Sequence, residues 1–223
     1  MKQRRVFVGA MLALWVAVAG TASATPQLYP TGPAEDSAFV RFVQAMPDAV
    51  IVEAERGAKV TLTPEQRDTP WQAVAARTPL RATLRAMGRQ ESVSVTVQPG
   101  EFVTVAAVPD TSSGWRLVQG REKPTDFSAL KVSLGVLNAS ARCPSASVKV
   151  AGRDTVVLAN VSGATVQRRQ LNAVPLAVAL WCGEQSVGQA VDLGVLRAGQ
   201  RWTLLVVDEG ASARLIPILD RMP

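Results

Sequence analysis

The sequence predicts a mainly β protein built from two tandem immunoglobulin-like β-sandwich domains. Three observations point there. Short segments alternate apolar and polar residues with period two. Gly, Pro, Asn and Asp punctuate most of the gaps between them. Landmarks of the first half recur in the same order at offsets of 94 to 99 residues.

The elements follow in chain order. An early strand closes at Gln44-Ala45. Thr63-Pro64-Glu65-Gln66 has the form of a helix start, with Thr63 as cap and Pro64 at the first helical position. Thr69-Pro70 interrupts it after one turn, so a helical turn or loop should lead into a strand near Trp71–Ala75. Leu80–Arg85 alternates, with Leu80, Ala82 and Leu84 on one side and Arg81, Thr83 and Arg85 on the other. Arg77, Arg81, Arg85 and Arg89 would form a basic helix face, but Pro79 within the run disfavours a helix. Ser92–Val97 is the clearest strand, valines alternating with hydroxyls. Gln98-Pro99-Gly100-Glu101 makes a turn into the apolar strand Phe102–Val108. The charged stretch Gly120–Asp126 reads as a linker. Beyond it, Lys131–Leu137, Ser147–Val150, Asp154–Leu158, Ala177–Trp181 and Trp202–Val207 are short and rich in β-branched residues.

The recurrence has four landmarks. Gln44-Ala45 matches Asn138-Ala139 at an offset of 94, and Arg56-Gly57 matches Ala151-Gly152 at 95. Pro79-Leu80 matches Pro175-Leu176 at 96, and Pro99–Thr104 matches Ala198–Thr203 at 99. Residues 37–125 and 126–223 are therefore expected to be two copies of one sandwich, each with about seven strands.

Ahead of them lie two further segments. Lys2, Arg4 and Arg5 precede an uncharged apolar run, Val6–Gly20, and then the small residues Thr21-Ala22-Ser23-Ala24. This is the pattern of a secretory signal peptide, residues 1–24. The run is about 15 residues, short of the roughly 20 that span a bilayer. Residues 25–36 form an N-terminal extension. Export to the periplasm is the expectation.

Composition narrows the chemistry. The chain has no histidine and two cysteines. A Ser-His-Asp or Cys-His nucleophile lacks its base, and His-ligated or all-cysteine zinc sites and iron–sulfur clusters lack their ligands. No metal site and no cofactor is expected. The formal charge of +6 falls to +3 without the three basic residues of the leader. No concentrated basic footprint remains, so nucleic acid is not an expected partner. In an oxidising compartment the pair Cys143 and Cys182 should form a disulfide.

Catalytic patterns are weak. Ser128-Ala129-Leu130-Lys131 matches the bare S-x-x-K spacing, without its companion motifs and on a segment that runs into a strand. Glu53 with Glu55, and Asp208 with Glu209, read as solvated strand face and turn. Binding is the better prospect. Trp181 and Trp202 lie within apolar strands and should be internal, whereas Trp115 follows the turn Thr111–Gly114 and should be partly exposed. Trp115, Arg81 and Arg85 are the candidate glycan contacts.

The segment Leu28-Tyr29-Pro30-Thr31-Gly32-Pro33-Ala34-Glu35-Asp36-Ser37-Ala38-Phe39-Val40-Arg41 resembles the opening of the AlgF family of exported alginate O-acetylation proteins. Lys131–Leu134 and Pro175–Leu180 resemble strands of that family. Only the opening is specific, and the cysteine pair is a departure that points toward the related branch of cellulose acetylation clusters. The resemblance implies a non-catalytic periplasmic adaptor, required for O-acetylation of an exported exopolysaccharide, alginate or cellulose. Its implied partners are a membrane-bound O-acyltransferase and a periplasmic SGNH-type acetyltransferase. Leu28, Tyr29, Pro30, Pro33, Phe39 and Arg41 match the opening motif and are the candidate partner-binding residues. The alternative reading is a polysaccharide-binding β-sandwich module.

Overall fold

The computed structural model describes residues 37–222, apart from 56, 57, 126 and 164. Residues 1–24, expected to be a signal peptide, the segment 25–36 with Leu28, Tyr29, Pro30 and Pro33, and the Arg56-Gly57 landmark lie outside the described residues.

The first sandwich has eight strands: β1 Ser37–Gln44, β2 Val50–Ala54, β3 Lys59–Leu62, β4 Gln72–Ala75, β5 Pro79–Ala86, β6 Arg89–Thr96, β7 Phe102–Asp110 and β8 Gly114–Glu122. The second also has eight: β9 Val132–Asn138, β10 Ala146–Val150, β11 Val156–Val161, β12 Gln167–Leu171, β13 Pro175–Cys182, β14 Gln185–Val195, β15 Arg201–Glu209 and β16 Ser212–Leu219. No helix occurs among the described residues. Thr63–Gln66 is a bend instead, in which the Thr63 hydroxyl accepts the Gln66 N–H at 3.2 Å. Gly120, Arg121 and Glu122 belong to β8, so the connection between sandwiches is shorter than the charge run suggested.

Strand order is the same in both halves. The outer sheets run β3-β2-β5-β6 and β11-β10-β13-β14, and the inner sheets run β4-β1-β7-β8 and β12-β9-β15-β16. In each inner sheet the first strand lies parallel to the seventh, with Arg41 opposite Thr104 and Gly135 opposite Thr203. The eighth strand of each copy completes its inner sheet. Cys143 and Cys182 form the expected disulfide, with Cα atoms 5.2 Å apart.

Three cores hold the four sheets. One fills the first sandwich around Val40, Phe42, Leu84 and Val105. The second fills the other sandwich around Leu134, Leu180 and Leu204. The third joins Val43, Ala106 and Val108 of the first inner sheet to Leu137, Leu205, Val207, Ile216 and Ile218 of the second. The central strands of the inner sheets are thus covered on both faces, which explains why β9 is buried at every position and why β1, β7, β9 and β15 are largely buried and rich in apolar residues. The outer sheets keep one face in water, and β6 shows the resulting alternation from Glu91 to Thr96.

The two inner sheets approach closely. A Cβ placed on Gly120 would come within 2.4 Å of a Leu137 methyl. Within the second inner sheet, one placed on Gly135 would meet the guanidinium carbon of its cross-strand partner Arg168 at 2.8 Å. Both glycines are kept by space, since neither has a positive φ.

Candidate functional site

The seam between the inner sheets is apolar along most of its length and ionic at one end. Period two places Gln170, Ser133 and Arg201 in one row across β12, β9 and β15. The next row on that face is Arg168, Gly135 and Thr203. From the first inner sheet, Arg41 and Thr104 project toward them, as does Glu122 at the end of β8.

Arg41 is 1% exposed. Its Nη1 donates to Asp220 Oδ1 at 2.7 Å, its Nε to Thr104 Oγ1 at 3.0 Å and its Nη2 to Thr203 Oγ1 at 2.9 Å. The guanidinium also lies 4.4 Å from the Trp71 ring centroid. Arg168 grips Glu122 with two hydrogen bonds, Nε to Oε2 at 2.7 Å and Nη2 to Oε1 at 2.9 Å. The same Nη2 reaches Thr203 Oγ1 at 3.2 Å and Asp220 Oδ2 at 3.3 Å, and Nη1 donates to the Trp202 carbonyl at 3.0 Å. Gly135 is what leaves room for this guanidinium. At the rim, Arg221 pairs with Asp68.

The electrostatics follow from burial and charge count. Burial alone would raise the Asp220 carboxyl, but the Arg41 and Arg168 charges, with hydrogen bonds from Arg41 and Thr203, hold it below the usual carboxylate range. At Asp68 burial wins over the Arg221 charge, and the carboxyl is raised. Arg168 loses to burial but gains more from Glu122 and Asp220, and its net shift is upward. Arg201 is lowered, first by burial and then by the Arg168 charge.

Several sequence expectations are corrected here. Arg41, a candidate partner-binding residue, is sealed in the seam and presents nothing to a partner. Phe39 is half-buried, stacked on Phe102 with centroids 4.4 Å apart. Trp115 is 1% exposed rather than a glycan platform, because β8 pairs it with Pro109 and turns its ring into the first core. Trp181 and Trp202, expected inside, are half-buried, and the Lys149 amine stands 3.8 Å from the Trp181 ring. Arg81 and Arg85 do share the wet face of the first outer sheet, but they face Glu55 at 3.5 Å and Glu53 at 3.6 Å. Asp208 is no free turn residue, since it accepts hydrogen bonds from the Ser140 hydroxyl and the Arg142 N–H. In keeping with the weak reading of the S-x-x-K spacing, Ser128 and Lys131 have separate partners: the Ser128 hydroxyl accepts the Leu130 N–H, and the lysine amine donates to Asn172 at 2.6 Å.

Arg168, Arg201, Glu122, Asp220, Thr104 and Thr203 were not singled out from the sequence. Arg201 stands at the head of Arg-Trp-Thr-Leu-Leu-Val-Val, and Asp220 directly follows Ile-Pro-Ile-Leu. A charge bordering an apolar run is the signal that could have found them.

No family model matches the chain, and no curated protein matches it. Solved structures similar to it include the C-terminal domain of AlgF from P. aeruginosa, at 23% identity and a TM-score of 0.36, covering 40% of this chain and 98% of that one. A putative cell adhesion protein from Bacteroides uniformis is similar at 10% identity and a TM-score of 0.29, covering 84% of this chain and 99% of that one. A family 26 carbohydrate-binding module from Eubacterium rectale, solved with maltoheptaose, is similar at 11% identity and a TM-score of 0.24, covering 81% and 96%.

Proposed function

We propose that this protein is a non-catalytic periplasmic adaptor for O-acetylation of an exported exopolysaccharide, alginate or cellulose, and that it docks onto the acetylation enzymes. The observation that carries this reading is an apolar tip on the second sandwich. Leu130, Val174 and Val195 are 83%, 47% and 70% exposed. Leu130 and Val174 lie in connections and Val195 ends β14, and hydrogen bonds join these segments at one end: Gly199 N–H donates to the Lys131 carbonyl, the Lys131 amine to Asn172, and Leu196 N–H to the Val174 carbonyl. Large apolar side chains grouped on the surface mark interaction sites, and a protein partner is the occupant proposed here. The sequence supports the same reading: its opening resembles the AlgF family, and without histidine it lacks the usual base for acyl transfer.

The alternative, a glycan-binding module, fits less well. Sugar stacking needs an exposed ring; Trp71 and Trp115 are fully buried, Trp181 and Trp202 are half-buried, and the Lys149 amine stands 3.8 Å from the Trp181 ring. The polar face of the first outer sheet is spanned by arginine–glutamate pairs, and among the described residues no aromatic ring lines it.

The test is the double substitution Leu130→Ser and Val195→Ser. Both side chains are largely in water, so the melting temperature should hold. Co-purification with the SGNH-type acetyltransferase should be lost, and polymer acetylation should fall. Normal acetylation by the folded double variant would sink the reading. So would acetyl-ester turnover by the purified chain that is lost on Ser128→Ala.

A further inference from the structure

At the ionic end of the seam the charges do not cancel. Three buried guanidinium groups, Arg41, Arg168 and Arg201, face two buried carboxylates, Glu122 and Asp220. The Asp68–Arg221 pair at the rim adds no net charge. The surplus sits on Arg201. Its residue is 6% exposed, and none of its three guanidinium nitrogens has a hydrogen-bond partner among the described residues. Glu122 Oε1 stands 3.8 Å away, beyond hydrogen-bond range. The guanidinium is otherwise flanked by rings, 5.0 Å from the Phe127 centroid and 6.0 Å from that of Phe102. A buried charge left in this condition is costly.

Arg201 is not alone. Ser133 is its neighbour on β9, and the Ser133 hydroxyl is also buried without a partner. Gln170 is the next residue of the same row on β12, and its side-chain oxygen is buried without a partner too. Three orphaned groups thus occupy one row, on one face, across three adjacent strands. The row ends at the edge strand β12. There a cleft of ≈ 320 Å³ opens, lined by Gln170, Arg168, Arg169, Lys123, Thr125 and Glu122. Its basic side chains outnumber its acidic one, so its mouth attracts anions.

We propose that this row is a binding site for a hydroxy-carboxylate the size of a sugar acid. Each group supplies what the others lack. The arginine fork takes a carboxylate with two hydrogen bonds. The Ser133 hydroxyl donates or accepts. The Gln170 oxygen accepts only, so it calls for a hydroxyl on the ligand. Two strand spacings separate the ends of the row, about 10 Å, which suits a sugar ring bearing a carboxylate better than acetate. The inference stands apart from the adaptor reading: an adaptor without this site, or the site on a protein of another role, are both possible results of experiment.

Thermal denaturation of the chain from residue 25 tests it, at constant ionic strength, with D-glucuronate, acetate or glucose. Glucuronate should raise the melting temperature, acetate should do so weakly, and glucose should not. Arg201→Gln should weaken glucuronate binding about tenfold or more, the loss of a charge-assisted pair, and Ser133→Ala by a smaller factor. Should Arg201→Gln fail to fold, Ser133→Ala and Arg201→Lys decide, since each keeps the local charge. A polygalacturonate column separates two sources of the same chemistry: retention lost with Arg201→Gln identifies a uronate unit of a polymer, and binding of glucuronate without retention identifies a free sugar acid. No shift with either carboxylate, or equal shifts in wild type and Arg201→Gln, overturns the proposal.

Discussion

Arg41 in the first sandwich and Gly135 in the second hold matching places. Each is on the first strand of its copy, opposite a threonine on the parallel seventh strand, Thr104 in one case and Thr203 in the other. One position carries the largest cation and the other no side chain at all. The reason is the seam. Arg41 reaches across it to Asp220 and Thr203, and the space over Gly135 is taken by Arg168 from β12. Two copies of one strand order face each other here, and a large side chain at both places would not fit. The difference shows how a repeated sandwich becomes one body: the copies keep one strand order throughout, and their side chains diverge where they touch.

The largest expected effect comes from breaking that asymmetry at its anchor. Asp220→Asn removes the charge that both Arg41 and Arg168 address. Stranding a buried charge costs about 3–5 kcal/mol, so urea denaturation at neutral pH should show a loss of that order. The pH dependence has a definite sign. Asp220 is held below its usual value in the folded state, so the folded chain binds its proton less readily than the unfolded chain. Its stabilisation is complete above the unfolded value of about 3.9 and is lost as pH falls through the folded one. The gap between wild type and variant should therefore be widest at neutral pH and narrow below about pH 4. A constant gap would mean that the carboxylate is not what matters.

The second contrast is the disulfide. Cys182 pairs with Ala146 and Gln185 at the end of β13, and the matching place in the first sandwich is Ala86 at the end of β5, which pairs with Arg89 at the start of β6. One copy is closed by a covalent bridge spanning 39 residues, and the other by packing that includes the buried Met46. In the chain-entropy account such a loop is worth about 3–4 kcal/mol. Replacing both cysteines with serine should lower stability by that order, and hydrogen exchange should quicken first in β10 and β13. Equal loosening of β2 and β5 would show that the two sandwiches unfold as one unit.

What was legible in the sequence divides along the same lines. The outer strands, with one wet face, read correctly from alternation, and β6 with its Ser-Val-Ser-Val-Thr-Val is the plainest case. The repeat read correctly because turn residues such as Pro99-Gly100 and Ala198-Gly199 mark backbone requirements of each copy. The seam did not read. A period-two rule sends charged residues to water, yet Arg41, Glu122 and Arg201 point into protein because a second sheet covers them. Trp115 misled for a related reason: a turn beside it suggested exposure, but the register of β8 turned it inward. Glu122 was hidden within a charge run that looked like a linker. Contacts between two folded units leave no local periodicity to read.

A smaller effect sharpens the account of the seam. Gly120 lies where the sheets come closest, with Leu137 as the near neighbour. Gly120→Ala should cost about 1–3 kcal/mol, the range for overpacking. Leu137→Ala alone should cost about 2–5 kcal/mol by leaving a cavity. Together they should cost less than their sum, because the smaller side chain makes room for the new methyl. Strict additivity in the double-mutant cycle would show that the sheets move apart instead.

The smallest effect belongs to the wet face of the first outer sheet, and it is a control for the rest. Arg81 and Glu55 pair at 3.5 Å with side chains 65% and 61% exposed, and Arg85 and Glu53 pair at 3.6 Å. They are drawn with the same residue types as the seam: arginine forks facing carboxylates. Solvent screening separates the two settings. Exposed pairs of this kind contribute about 0–1 kcal/mol, so Arg81→Ala should change stability by less than that, and what change there is should fade as salt is raised past the point where the Debye length falls below about 8 Å. The Asp220 pairs, shut between two sheets, should keep most of their effect at the same salt. If Arg81→Ala were as damaging as Asp220→Asn, burial would not be what gives the seam its strength.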